Sequence, residues 1–392
     1  MTTNGQEKSQ RRRRFQLAAV LGASLLVVAM ASLAVAGWYF SERFERDVLA
    51  VEHAPDAFPL RVLSLTDGRL TLDASDTPDG DWARPGVYGV EWATGYGQVG
   101  EIIALDARTV TRQFTLLTGE FPAPGDAART DTLAFPRDPE LGLGLSFDEV
   151  LVTGPLGDMP AWLVDAPSPT WAVLVHGKGA RRTEMLRLVS ILHDRGITCL
   201  VITYRNDVEA PADPDHRYHL GNEEWRDVEA AVAYAIDHGA SGVVLVGHSM
   251  GGGAVMAFLE RSAAADRIAA VVLDSPLLNV ERTVRWRARD LAPGPVIRYG
   301  MWVSAIRFGL DWGDYDYLSG AGRVSVPMLI FHGDADASVP IETSQELVER
   351  LPDLVTLVSW PGVRHVQSWN RDPAAYGSQV TRFLGAVPGI QP

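Results

Sequence analysis

A serine, two histidines and two aspartates at the ends of apolar runs define the chemistry this chain could do. The serine is Ser249, in the stretch Val243-Val244-Leu245-Val246-Gly247-His248-Ser249-Met250-Gly251-Gly252-Gly253. The apolar run before it reads as a buried strand and residues 254–259 after it as a helix. Gly-x-Ser-x-Gly between strand and helix is the pattern of a nucleophile elbow. The turn leaves no room for side chains at Gly247 and Gly251 and lifts the hydroxyl above the sheet. It also sets the Met250 backbone N–H at a helix N-terminus, facing a developing oxyanion. In a glycine-rich chain the pattern alone occurs by chance, so the flanking strand and helix carry the reading.

A serine hydroxyl is a poor nucleophile near neutral pH and needs a base, usually a histidine oriented by a carboxylate. Two downstream stretches offer them. His332-Gly333-Asp334-Ala335-Asp336-Ala337-Ser338-Val339-Pro340 follows one predicted strand, and Pro361-Gly362-Val363-Arg364-His365 follows the next. Both Asp334 and Asp336 are open as the acid on position alone. His248 lies inside the elbow and His332 at a strand end, so neither has the post-strand loop placement of a base.

These residues need a scaffold, and from residue 147 on strands and helices alternate. Residues 147–153 and 161–165 read as an opening hairpin. Strands are expected at 171–175, 197–203, 243–246, 269–273, 326–331 and 355–360, with helices at 185–195, 223–238, 343–350 and 374–384. Thr183 is the expected cap of the first helix. This is the rhythm of an α/β fold, a mostly parallel sheet covered by helices on both faces.

With the order serine, acid, histidine, residues 147–388 resemble the α/β-hydrolase fold serine hydrolases, a family of esterases, lipases and peptidase-like members. The resemblance implies that Asp336, four residues after the histidine of His-Gly-x-x-Asp-x-x-Val-Pro, is the acid, that Asp334 is a turn residue and that His332 is structural. It implies His365 as the base and the Lys178 N–H, in Val175-His176-Gly177-Lys178-Gly179, as the second oxyanion donor beside Met250. The implied activity is cleavage of carboxylic esters or thioesters through a Ser249, Asp336 and His365 triad and an acyl-enzyme. Acyl transfer and peptide cleavage stay open on the same residues. A lid insertion is expected at about 277–324. Within it, residues 295–310 carry Ile297, Tyr299, Met301, Trp302, Ile306 and Phe308, which could contact lipid, line an acyl pocket or pack on their own domain. The rival of a different class is a non-catalytic surface-binding scaffold. Nothing in such a scaffold would require the three residues together.

Lys178, Arg181 and Arg182 could form an anion-binding rim or an ordinary solvated loop. No metal-ligand spacing and no phosphate-cradling loop is found, so neither metal nor cofactor is expected. The formal net charge of −14 argues against nucleic acid as a partner. Cys199, the single cysteine, excludes an internal disulfide and reads as a buried strand residue.

Residues 41–146 read as a small β-rich domain. Asp67-Gly68 between Val62-Leu63-Ser64-Leu65-Thr66 and Arg69-Leu70-Thr71-Leu72 is a hairpin signal. Residues 86–92 and 95–103 alternate glycine with aromatic and β-branched residues, a pattern of sheet core or of a binding face. Residues 1–14 are a polar tail ending in Arg11-Arg12-Arg13-Arg14. Residues 15–40 are uncharged and nearly all apolar, long enough for one membrane-spanning helix, with Trp38, Tyr39 and Phe40 as its aromatic belt. The basic flank predicts a cytoplasmic N-terminus and an extracytoplasmic catalytic domain on a bacterial cell membrane, with the bilayer and a small-molecule or lipid ester as partners. The rival for this segment is a cleaved signal peptide, with Ala34-Val35-Ala36 as its site.

Overall fold

The computed structural model describes residues 3–390 apart from 54, 55, 76, 78 and 79. Its contacts divide the chain into two units, Met1–Leu49 with Ala288–Asp311, and Ala50–Arg287 with Trp312–Pro392.

The first unit is helical. Helix α1 (Thr3–Phe44) includes the whole apolar stretch. It is the one helix among the described residues long and apolar enough to cross a bilayer, and it is exposed from residue 15 to residue 35. An amphipathic soluble helix would instead show a polar stripe.

The second unit opens with a closed barrel of strands β1 (Leu60–Thr66), β2 (Arg69–Asp73), β3 (Tyr88–Trp92), β4 (Gly95–Leu105), β5 (Thr109–Gly119) and β6 (Ala127–Asp131), in the order β1-β2-β5-β4-β3-β6. The β1–β2 hairpin pairs Thr66 with Arg69 across Asp67 and Gly68. Both of these have positive φ, +50° and +68°, the type I′ geometry that matches strand twist. The inward alternation of Val62, Leu70, Leu72, Val90, Val99 and Val110 makes the barrel core. The aromatics Tyr88, Trp92 and Tyr96 are buried, so they serve as core rather than as an exposed binding face.

A short helix, α2 (Pro139–Leu143), leads to an eight-stranded sheet. Its elements are β7 (Asp148–Gly154), β8 (Gly157–Val164), β9 (Thr170–Val175), α3 (Leu186–His193), β10 (Thr198–Ile202), α4 (Trp225–Asp237), β11 (Gly242–His248), α5 (Met250–Arg261), β12 (Ile268–Asp274), α6 (Val280–Ala288), α7 (Gly294–Phe308), β13 (Met328–Gly333), α8 (Glu342–Arg350), β14 (Val355–Trp360), α9 (Ser368–Arg371) and α10 (Pro373–Ala386). Of these, α7 belongs to the helical unit. The strand order is β14-β13-β12-β11-β9-β10-β8-β7. All pairs from β10 to β14 are parallel, and β7 and β8 form the antiparallel edge.

Strands β9 to β12 are buried on nearly every residue because both sheet faces are covered. Ala172, Leu174, Val244 and Val246 face α3 and α10; α4 and α5 pack on β9 and β11 from the other side. Cys199 lies in β10, fully buried, and that burial pushes its thiol pKa well above the ordinary value. One expectation needs correcting. Thr183 does not cap α3; it lies in a 3-10 turn before it, and its hydroxyl donates to the Arg137 carbonyl at 2.8 Å.

Candidate active site

Parallel strands present their carboxyl ends on one edge of a sheet, and loops leaving that edge converge. Ser249, Asp336, His365 and the His176–Gly179 loop all follow such ends, those of β11, β13, β14 and β9.

Ser249 sits between β11 and α5 at φ +49° and ψ −114°. A non-glycine residue held there stores on the order of 1–3 kcal/mol of strain, so its surroundings must enforce it. The Ser249 N–H donates to the Asp274 carbonyl at 3.0 Å, and the Leu277 and Gly253 N–H groups donate to the Ser249 carbonyl at 2.9 and 3.2 Å. The glycines give the room. A Cβ on Gly251 would run into the Val175 and His176 carbonyl oxygens, and one on Gly247 would lie 2.8 Å from the Gly252 amide nitrogen.

The structure brings Ser249, His365 and Asp336 into one hydrogen-bonded line. His365 Nε2 is 2.8 Å from Ser249 Oγ, and His365 Nδ1 is 2.7 Å from Asp336 Oδ2. Asp336 Oδ1 accepts from the Ser338 and Val339 N–H groups at 2.7 and 2.8 Å. Burial alone would raise the Asp336 carboxyl. Hydrogen bonds with His332 and His365, the charge of His365 and the Val339 amide outweigh it and hold the carboxyl well below the usual range. Asp334 does not reach this line; it is exposed and accepts from the Gly362 N–H at 2.6 Å. His332 is fully buried, 2.8 Å from Ser344 Oγ and 3.3 Å from Asp336 Oδ2.

Of the two expected oxyanion donors, Met250 follows the serine in the chain and Lys178 follows Gly177, which packs on it. Met250 is the first residue of α5, so its N–H is among the first four, which have no acceptor within their own helix. Gly177, next to Lys178, is packed on the serine: a Cβ there would lie 3.3 Å from Ser249 Cβ. The Lys178 ammonium stands 5.4 Å from the Tyr218 ring. Arg182 does not make an anion-binding rim with it. It is buried, 4.4 Å over the Trp162 ring, and ion-paired to Glu149 and Glu209 at 2.9 and 2.5 Å.

Several supporting residues went unread in the sequence. Glu184, buried, accepts from the Gly177 N–H at 2.8 Å and lies 3.4 Å from His248 Nδ1. Burial opposes its ionised form, but His248, Arg187 and the Gly177 amide hold its carboxyl below the usual range. His176 Nε2 is 2.9 Å from Asp207 Oδ2, and the Tyr204 hydroxyl donates to the Gly177 carbonyl at 2.8 Å. Arg187 donates to the Val366 carbonyl and to Asn370 Oδ1 at 2.9 and 3.0 Å. Val366, beside His365, has φ +52°, an outlier for a β-branched residue. Its N–H donates to Ser275 Oγ at 3.1 Å. The barrel closes this loop from outside. The Val87 N–H donates to the Asn370 carbonyl at 2.7 Å, and Asn370 Nδ2 donates to the Val87 and Thr132 carbonyls, each at 2.8 Å. The readable signal was Arg187 itself, a charge inside the apolar run Met185-Leu186-Arg187-Leu188-Val189.

Away from this edge, Asp213, Asp215 and His219 bring ligand-type atoms within 4.8 Å of one another. The Arg205 guanidinium pairs with Asp213 there at 3.1 Å.

Residues 172–386 match the model of the alpha/beta hydrolase family, and residues 61–131 match a domain of unknown function. The chain is 24% identical over 238 residues to a monoacylglycerol lipase of Mycolicibacterium smegmatis, covering 52% of this chain and 84% of that one. It is 28% identical over 214 residues to human protein ABHD12B, covering 49% and 55%. A Pyrococcus furiosus esterase structure superposes with a TM-score of 0.53 at 20% identity, over 65% of this chain and 96% of that chain, a likeness of fold. The strand order, the turn that carries Ser249 and a family match over more than half of the chain agree: this protein belongs to the alpha/beta hydrolase family.

Proposed function

We propose that the protein is a membrane-anchored serine hydrolase that cleaves carboxylic esters. The observation that carries the reading is the line Ser249 Oγ, His365 Nε2 and Nδ1, Asp336 Oδ2, with spacings of 2.8 and 2.7 Å, on a strained turn at the strand ends. Similarity to a monoacylglycerol lipase supports the ester as the bond.

Ser249 Oγ attacks the ester carbonyl while His365 Nε2 takes its proton. Asp336 holds the Nδ1–H tautomer and stabilises the imidazolium that forms. The negative charge on the carbonyl oxygen is received by the Met250 and Lys178 N–H groups, each such donor being worth about 3 kcal/mol in the transition state. His365 returns the proton to the leaving alkoxide. It then draws a proton from water, which attacks the acyl-enzyme and frees the acid and Ser249. The α1 helix anchors the chain, with the basic residues Arg11 to Arg14 on the cytoplasmic side and the hydrolase beyond the far face.

The test uses the full-length protein purified in mild detergent. A fluorophosphonate probe is expected to label wild type and to leave Ser249→Ala and His365→Ala unlabelled, and a chain-length series of esters is expected to be hydrolysed. Equal labelling of Ser249→Ala would overturn the assignment. A periplasm-active reporter fused after residue 392 is expected to be active; a signal seen only with a cytoplasm-active reporter would overturn the orientation.

A further inference from the structure

We propose that α7 is a second membrane-contacting element, seated at the bilayer surface beside the anchor with Arg298, Trp302 and Ile306 turned to phospholipid. The inference rests on the reading of α1 as a bilayer-spanning anchor and adds a contact that this reading does not require.

Although α7 lies between β12 and β13 in the chain, residues Ala288–Asp311 form one contact unit with α1. Two glycines make the approach. A Cβ on Gly37 would lie 2.8 Å from Val303 Cγ2 and 3.0 Å from Tyr299 Cε1, and a Cβ on Gly300 would lie 2.8 Å from Phe40 Cβ. Small residues that let helix backbones come this close are how helices pack in lipid, where burying apolar side chains gives no advantage. Arg307 then fastens the pair. Its guanidinium is 4.0 Å from the Trp38 ring centroid, donates to Ser41 Oγ at 3.1 Å, and pairs with Glu42 and Glu45 at 2.9 and 3.2 Å. The Phe44 and Phe308 rings follow at 6.3 Å.

The level of this contact follows from length. At about 1.5 Å per residue, a hydrocarbon core of about 30 Å takes up about 20 residues of helix. Counted from Arg14, its far edge falls close to Val35. The contacts from Gly37 to Glu45 are therefore at headgroup level, where the belt of Trp38 and Tyr39 also lies. A helix held there meets lipid with whatever face it leaves open. That face is Arg298, Trp302 and Ile306, spaced i, i+4, i+8 on one stripe, with Trp302 59% and Ile306 66% exposed. On α1 at the same level Val35 is 70% and Tyr39 55% exposed. The contacts from Gly37–Tyr299 to Phe44–Phe308 carry α7 outward with α1, so Arg298 is at the bilayer end of the α7 stripe. Its apolar stem is suited to the acyl boundary and its guanidinium to anionic headgroups, and Trp302 is near the level of the belt. Facing water, Trp302 and Ile306 would be an exposed apolar patch on a helix already fixed to an apolar anchor.

The test reconstitutes the full-length protein in vesicles of phosphatidylcholine and phosphatidylglycerol carrying lipids spin-labelled near the headgroup. Native Cys199 is fully buried, so an environment-sensitive thiol dye reports introduced cysteines. Trp302→Cys, Ile306→Cys, Leu26→Cys on α1 and Asp353→Cys in the other unit are compared. The expected result is quenching at 302 and 306 several-fold above that at 353, with a blue-shifted emission. Adding Gly37→Leu and Gly300→Leu together is expected to abolish the signal at 302 and leave that at 26 in place. Probes at 302 and 306 that match 353 while the probe at 26 is quenched would overturn the inference alone. A probe at 26 that also matches 353 would overturn the anchor reading and the inference with it.

Discussion

Arg112 and Arg187 are both buried guanidinium groups, one inside the barrel and one under the sheet edge that bears Ser249, and their partners differ. Arg112 donates only to backbone carbonyls, those of Trp82, Arg84, Gly86 and Gly100 at 2.6–3.0 Å, and lies 5.4 Å over the Tyr88 ring. Burial pulls its pKa down to about 10, so it is still a cation at neutral pH. Arg187 has a carboxylate, Glu184, at 3.5 Å, donates from Nε to the Glu184 carbonyl at 3.1 Å, and donates from Nη1 to Val366 and Asn370 after His365. The barrel's cation thus knits the barrel's own backbone. The sheet's cation ties the Gly177 side of the site, through Glu184, to the His365 side, through Val366 and Asn370. The two regions meet at Asn370, where the barrel supplies a wall and no reacting group.

The largest effect that could sharpen this division is at Asp336. Asp336→Asn is expected to lower kcat/KM for ester hydrolysis by about 10⁴, because the amide favours the wrong His365 tautomer. The chain should remain folded by circular dichroism. A loss of only a few-fold would move the acid elsewhere and undo the contrast between a reactive sheet edge and an inert barrel.

The two arginines give the next pair. Removing one partner of a buried ion pair costs about 3–5 kcal/mol, and leaving buried carbonyls without their donor costs about 1–3 kcal/mol each. Both Arg187→Met and Arg112→Met are expected to lower the denaturant midpoint on those scales. Only Arg187→Met is expected also to lower kcat of the folded enzyme, since it frees Val366 beside His365 and leaves Asn370 without its donor. If Arg112→Met lowered kcat equally, the barrel would be setting the precision of the site and the division of labour would fail.

What the sequence made legible follows the range of the interactions. The Ser249 turn and the Asp67-Gly68 hairpin are each written in a few adjacent residues, with glycine or a strand end as punctuation, whereas position alone left Asp334 and Asp336 open and only the family resemblance pointed to Asp336. Strand β6 was not legible. Ala127-Ala128-Arg129-Thr130-Asp131 has little β-propensity, and it exists because it closes the barrel between β1 and β3. Glu184 and Asn370 were silent because their partners, Gly177 and Val87, are fixed by tertiary structure. The pairing of α1 with α7 joins Gly37 to residues more than two hundred positions away, and neither helix carries a local mark of it.

Acid separates two buried carboxylates, one from each region, by sign. Glu184 has a folded pKa below its unfolded value, because His248, Arg187 and the Gly177 amide outweigh its burial. Such a group contributes stability that is fully present above the ordinary carboxylate range, near pH 4, and is lost as pH falls through the folded value. Asp131, at the end of β6, goes the other way. Burial raises its pKa despite the Leu133 amide, the Tyr96 hydroxyl and Arg129. It therefore costs stability at neutral pH, and protonation removes that cost. Asp274, buried at the end of β12, shares the upward direction, so the contrast belongs to partnered and under-partnered carboxylates rather than to the sheet as a whole. Denaturant unfolding of the full-length protein in detergent, followed from pH 7 to pH 3.5, checks this. Glu184→Gln is expected to be less stable than wild type at pH 7 and to lose less on acidification. Asp131→Asn is expected to lose more than wild type, having no cost left to relieve. The difference should be roughly 1 kcal/mol for each tenfold by which folding strengthens proton binding at Asp131. Parallel curves for wild type and both variants would show that neither carboxylate changes its protonation with folding, and the electrostatic contrast between barrel and sheet edge would then rest on the arginines alone.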